Sequence, residues 1–476
     1  MAALAFALLD CGRAKQPAPA PGSWEYVFAP PAAGSWQLAV EATLERAPVD
    51  HLVVDGDDAA VRDVVLLGPG DGAPVVAVAR GDGGWSVPAC RTRCRLRYVV
   101  DLDAQASGCR RLDCGRKIGD AIVGQASAWM LRPETAGDAV VRVHLAPGAA
   151  ASDRFATGMR RDPSGGYVFR SEDLGEASYT AFGSFRRSAL EVGGARLDVV
   201  LLGDPVAMGD AAVVDWVRGA AGCVADLYGR FPVDATVFVV PAAGADDVVF
   251  GRVMSLAGAS VVLLFGTEAR PEKAHGDWVV VHELFHLSSP SFVGEGHWLE
   301  EGLATYYEPI LRARAGWYSE ADLWTELVRE MPRGLRQGGE ALGLEERDGI
   351  DATYWGGAIF ALLADLRIRA ATQGSARPQS LDDVQRAVLA RRGDATHRAR
   401  VADFIETGDR ATGTSALAEV YASWAVRGEN VDLAAIWRSL GIEPIASGDG
   451  GRISGVRLHD DAPLAAVRKA MAGSRH

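Results

Sequence analysis

The chain has 476 residues, 48% hydrophobic and 23% charged, with a formal net charge of -13. That length exceeds what one hydrophobic core holds and predicts two or three domains; the ordinary composition, with 55 glycines and 22 prolines, excludes a disordered chain and points to many turns and a β-rich portion. An acidic balance without a long Lys/Arg run excludes a nucleic-acid surface, and no stretch reaches the ~20 apolar residues that a transmembrane segment needs.

Residues 1–23 read as a signal remnant or flexible tether: the apolar run Ala2 to Leu9 precedes Asp10 and Cys11, and then Pro17, Pro19 and Pro21. The pattern predicts an exported protein, periplasmic or of the cell envelope, with a lipid anchor at Cys11 as one form of it. A positive leader is missing, and Asp10 stands where a small neutral residue belongs before a lipidated cysteine, so a cytoplasmic chain is the alternative.

From residue 24 to 192 apolar residues alternate with period two, as in Trp36, Leu38, Val40, Ala42 and Leu44, and again in Leu96, Tyr98, Val100 and Leu102. With glycine- and proline-rich punctuation between such runs, this predicts an antiparallel β-sandwich-like N-terminal domain. Cys90, Cys94, Cys109 and Cys114 cluster here and make either two disulfides, the reading an exported domain favours, or a four-thiolate zinc site; the pairing is open. Residues 193–345 predict an α+β unit, with strands at 197–202, 237–240 and 259–265 and a helix over 210–228 in which Cys223 is a small buried hydrophobe. Residues 346–476 are mostly helical, with Ile359, Leu362, Leu363 and Leu366 at helical spacing and Ser380 as a helix cap.

The segment Val279-Val-Val-His282-Glu283-Leu284-Phe285-His286 is an H-E-x-x-H pattern inside an apolar run of helical length. Residues four apart on a helix share a face, so both imidazoles can reach one Zn2+ at ~2.0–2.1 Å while Glu283 addresses the water that the metal activates. A third protein ligand is offered by Trp298-Leu299-Glu300-Glu301-Gly302, which opens a second helix and holds two candidate carboxylates.

These residues resemble the gluzincin zinc metallopeptidases, closest to the glycyl aminopeptidase family and related alanyl aminopeptidases, whose motif is H-E-x-x-H followed by W-L-x-E-G. The resemblance implies a thermolysin-like catalytic domain with one zinc per chain on His282, His286 and Glu301, and Glu283 as general base. It also assigns the tyrosine of Asp351-Ala-Thr-Tyr354-Trp355-Gly356, Tyr354, as the donor to the oxyanion. Peptides or proteins are the implied substrates. The likeness extends more weakly from residue 195 to 442, ending at a closing helix around Leu433 to Leu440.

Three departures stand beside it. The spacing between His286 and Glu301 is shorter than is usual in that clan; the lysine that follows the tyrosine in the family is Gly356 here; and the strand expected to rim the cleft, 256–262, has no carboxylate for a substrate amine. Arg252, Ser260 and His297 are candidate substrate contacts. The alternatives are a non-peptidase zinc hydrolase on the same scaffold and an inactive zinc-retaining binding module.

Overall fold

A computed structural model describes residues 21–473 except 46–48, 69–74, 82, 88–89, 91–92, 109–111, 113, 136, 148–152, 275, 293, 295, 336–341 and 448–451. Cys11, with the tether and anchor expectations, and Cys109 lie outside the described residues.

The N-terminal region is built on a seven-stranded sheet, in spatial order Tyr167–Arg170, Ala139–Leu145, Gly22–Phe28, Gln37–Glu45, Arg93–Asp101, Val61–Leu67 and Val75–Ala77. The alternation read from sequence sets its buried face: Trp24, Tyr26, Phe28, Leu38, Val40, Leu44, Leu96, Tyr98 and Val100 are all buried. One pairing is parallel, between Gly22–Phe28 and Ala139–Leu145, so the sheet is mixed rather than wholly antiparallel. A second sheet, containing Phe155–Thr157, Tyr179–Gly183 and Ala121–Gln125, covers that face, and Phe28, Trp129, Phe155 and Phe182 meet between them edge to face. Cys90 and Cys94 form a disulfide and Cys114 is also disulfide-bonded, which removes these three thiols from any zinc site.

The central sheet runs Arg186–Val192, Ala195–Leu201, Ala235–Ala242, Ala259–Gly266 and Val248–Met254, parallel in the middle and antiparallel at both edges. The boundary expected at 192/193 cuts a hairpin, because Arg186–Val192 pairs with Ala195–Leu201 and belongs to this sheet. Its middle strands read as unbroken apolar runs because both faces are covered. One face packs on the helices through Leu197, Val199, Val237, Val261 and Leu263. The other meets the N-terminal region, where Val200, Phe238, Val240 and Val262 touch Val123, Tyr179 and Ala181.

Helix Asp210–Tyr228 crosses over between parallel strands, and Cys223 on its buried face carries a free thiol that burial pushes up to about 12. The C-terminal helices Gly357–Thr372, Leu381–Arg392 and Val401–Thr412 share one continuous core with the helices of the central unit. Ser380 stands at the N-cap position of Leu381–Arg392, where its backbone N–H donates to the Asp383 carboxylate at 2.9 Å. Among the described residues no helix is long and apolar enough to cross a membrane.

Candidate metal centre

The motif helix is short, Val279–His286, and is apolar nearly all round: Val279, Val280, Val281, Leu284 and Phe285 are buried. Its start is fixed by Asp277, whose two carboxylate oxygens accept the N–H groups of Val279 (2.8 Å) and Val248 (2.9 Å). One side chain thereby ties the helix to the edge strand Val248–Met254. A helix so enclosed can carry charge only where another element brings a partner. That element is helix His297–Arg314, packed against it.

His282 and His286 project together, as residues four apart must. Their Nε2 atoms are 3.2 Å apart, and Oε2 of Glu301 lies 3.0 Å from the first and 3.5 Å from the second. Ligands held tetrahedrally at ~2.0–2.1 Å from a zinc ion stand roughly 3.3–3.4 Å from one another. The three atoms therefore already describe one face of such a tetrahedron, with a fourth direction free for solvent or substrate. The donor set, two imidazoles and a carboxylate, suits Zn2+. Among the described residues this is the group of three that could hold a metal.

The two glutamates of the sequence motif diverge, as adjacent helical residues do. Glu301 faces the imidazoles, whereas Glu300 turns back and accepts the N–H of Phe292. His297 is largely exposed, 3.9 Å from each of Glu300 and Glu301, and both carboxylates raise its pKa.

The electrostatics follow from burial. Burial works against protonation of His286, yet the Glu301 carboxylate outweighs it and lifts the group to about 9. His282, more deeply enclosed, is shifted down by desolvation. Glu301 would be raised by burial, but the two histidines hold it well below the carboxylate range. Glu283 is buried with weaker compensation, and desolvation raises it to about 7.

Tyr354 reaches the same place from a different part of the chain. Its ring lies parallel to that of His282, centroids 5.8 Å apart and planes within 4°. Its phenol is held above the ordinary value first by burial and then by the nearby Glu301 and Glu283 carboxylates. It sits in a widened π turn, Ala352–Gly356, a feature that recurs at functional sites.

Glu283, His286, Glu301 and Tyr354 line a cleft of about 760 Å³ walled by the edge strand on one side and reached by Glu172 and Glu176 of the N-terminal region and by Arg398 of the short strand Arg398–Ala399. Arg252 lines it and lowers Glu283 through its charge. Ser260 does not reach it: the side chain is fully buried, its hydroxyl accepting the Tyr179 N–H and donating to the Met254 carbonyl, both at 2.9 Å. The strand expected at the rim is also displaced by one position, since Ala259–Gly266 lies second from the edge and Val248–Met254 forms the rim. That outer strand escaped sequence reading because Gly251 interrupts its pattern, although a glycine inside a strand is itself a signal of close backbone approach.

No protein-family model and no curated protein matches the sequence. Solved structures do match the fold. An aminopeptidase N family protein from Idiomarina loihiensis aligns over 92% of this chain and 82% of its own, at 13% identity and a TM-score of 0.60. A mutant M1 zinc metallopeptidase from Deinococcus radiodurans aligns over 87% of this chain and 96% of its own, at 14% identity and a TM-score of 0.51. The same protein bound to a Tyr-Ser-Ala substrate gives 14% identity, 87% and 95% coverage and a TM-score of 0.50. The likeness is one of fold, and the chain has the multidomain α+β fold of the M1 aminopeptidases, with a β-sheet N-terminal region and a helical C-terminal part.

Proposed function

We propose that this chain is a zinc-dependent peptidase in which His282, His286 and Glu301 hold the metal and Glu283 is the general base. The observation that carries the reading is the convergence of two imidazole nitrogens and one carboxylate oxygen, from two helices, at separations of 3.0–3.5 Å. When bound, zinc would supply a Lewis acid that polarises a carbonyl and makes water acidic enough to attack near neutral pH.

The protein's own groups supply the remaining chemistry. Glu283, raised to about 7 by burial, is matched to taking a proton from the attacking water and passing it to the leaving amine. Tyr354 keeps its proton because burial and adjacent carboxylates disfavour the phenolate, so it donates a hydrogen bond to the oxygen on which negative charge develops. The edge strand Val248–Met254 gives an extended peptide a backbone to pair with. No carboxylate lies on that strand, so a free substrate amine would be met by carboxylates elsewhere in the cleft lining, Glu172 or Glu176. The fold shared with an enzyme solved with a tripeptide supports a peptide substrate, and the Cys90–Cys94 disulfide supports export.

The test is metal content measured beside hydrolysis of a peptide library, free or N-acetylated. Glu283→Gln is expected to keep zinc and lose turnover, His286→Ala to lose both, and a chelator to abolish activity that zinc restores. Wild-type rates in Glu283→Gln would sink the mechanism, and preference for free over acetylated peptides would report exopeptidase action.

A further inference from the structure

The widened turn Ala352–Gly356 runs directly into the regular helix Gly357–Thr372. A π turn inserts one residue into the α ladder, and the backbone groups around it need partners that the ladder no longer gives. At the junction of the turn with that helix, the Gly356 carbonyl accepts a bond from another part of the chain: Trp424 donates its indole Nε1–H to it at 2.9 Å, in a buried contact. Trp424 is 3% exposed and lies in a second widened turn, Tyr421–Val426, nearly seventy residues further along the chain.

Two more contacts fix the pair. Arg347 lies with its guanidinium 5.8 Å over the Trp424 ring and donates to the Gly334 carbonyl at 2.8 Å. Gly334 in turn presses on the same turn, since a Cβ there would stand 2.3 Å from the Trp355 carbonyl carbon. The turn bearing Tyr354 is thus held from the 331–334 segment on its backbone and from Trp424 on its carbonyl.

We propose that Trp424 is a positioning residue for Tyr354, its indole N–H holding the widened turn so that the phenol stays over His282 and beside Glu301. The inference rests on the role proposed above for Tyr354. Successive helical residues point about 100° apart, so a turn that relaxed by one residue to regular helix would swing the phenol off the metal-facing side.

The experiment uses the full chain carrying Trp424→Phe, which removes the donor and keeps an aromatic ring. Zinc content is expected to be unchanged, kcat to fall ~10²-fold with KM little altered, and the amides of residues 353–357 to exchange with solvent faster while those of 282–286 keep their protection. The double variant Trp424→Phe, Tyr354→Phe is expected to be no slower than Tyr354→Phe alone. If phenylalanine prevents folding, an isosteric benzothiophene side chain installed at position 424 removes the N–H alone. Wild-type exchange in the turn overturns the proposal whatever the activity, and so does a double variant whose losses multiply. If Tyr354→Phe by itself leaves turnover intact, the role of Tyr354 fails, and the exchange rates still decide whether Trp424 holds the turn.

Discussion

The backbone of Gly251 lies against the carboxylate of Glu283, so closely that a Cβ at Gly251 would stand 2.4 Å from Glu283 Cγ and 2.7 Å from its Oε1. The edge strand therefore sets the position of the base as well as the rim of the cleft. Gly251→Ala is expected to push the carboxylate aside without touching the metal ligands, lowering kcat/KM by ~10²-fold at unchanged zinc content. Kinetics and metal analysis on the purified variant check this; activity equal to wild type would remove Gly251 from the account.

Two helices that carry opposite sides of the centre meet at glycines. A Cβ on Gly302 would lie 2.3 Å from Gly357 Cα, and one on Gly357 would lie 2.1 Å from the Trp298 carbonyl oxygen. Backbone contact of this kind leaves no room to relax, so Gly302→Ala should destabilise by about 1–3 kcal/mol and weaken zinc binding through its neighbour Glu301. Gly222, in helix Asp210–Tyr228, has open space around its would-be Cβ, and Gly222→Ala should stabilise by about 0.5–1 kcal/mol. Denaturant unfolding of the two variants should move in opposite directions, and a stable Gly302→Ala would contradict the packing argument.

Ser260 separates a structural role from a substrate role. Its hydroxyl accepts a backbone N–H from the N-terminal region and donates to the carbonyl of Met254, linking that region to the central sheet and the edge strand. Ser260→Ala leaves the buried Tyr179 N–H without this acceptor and is expected to cost about 1–3 kcal/mol while KM stays as in wild type. A KM change without a stability change would reverse that reading.

Asp277 offers a test with a defined sign in pH. Burial holds its carboxyl above the ordinary value, against the pull of the two backbone N–H groups it accepts. A carboxyl whose folded value exceeds its unfolded value of ~3.9 takes up protons on folding. Its ionisation therefore costs nothing below the unfolded value, a growing amount as pH rises through the window up to the folded value, and a constant amount above. Asp277→Asn does not titrate and forfeits one acceptor. The stability of wild type over Asp277→Asn should thus be greatest at the acid end and narrow as pH rises through the window; urea midpoints that keep a fixed separation across the carboxyl range would refute it.

The sequence by itself determined what is periodic or local. Alternation placed Leu38, Val40, Leu44 and Leu96 on a buried sheet face, continuous apolar runs marked the central strands, and four-residue spacing put His282 and His286 on one side of a helix, because side-chain direction in a regular element is a function of residue count alone. Only the tertiary structure decided what depends on elements distant in the chain. It turned Glu301 inward and Glu300 back to Phe292, buried Ser260, made Val248–Met254 the rim, gave Arg186–Val192 to the central sheet, and brought Trp424 to the turn that bears Tyr354. Those outcomes follow from close packing and from the need of buried polar groups for partners, and neither condition is met until separate segments are in contact.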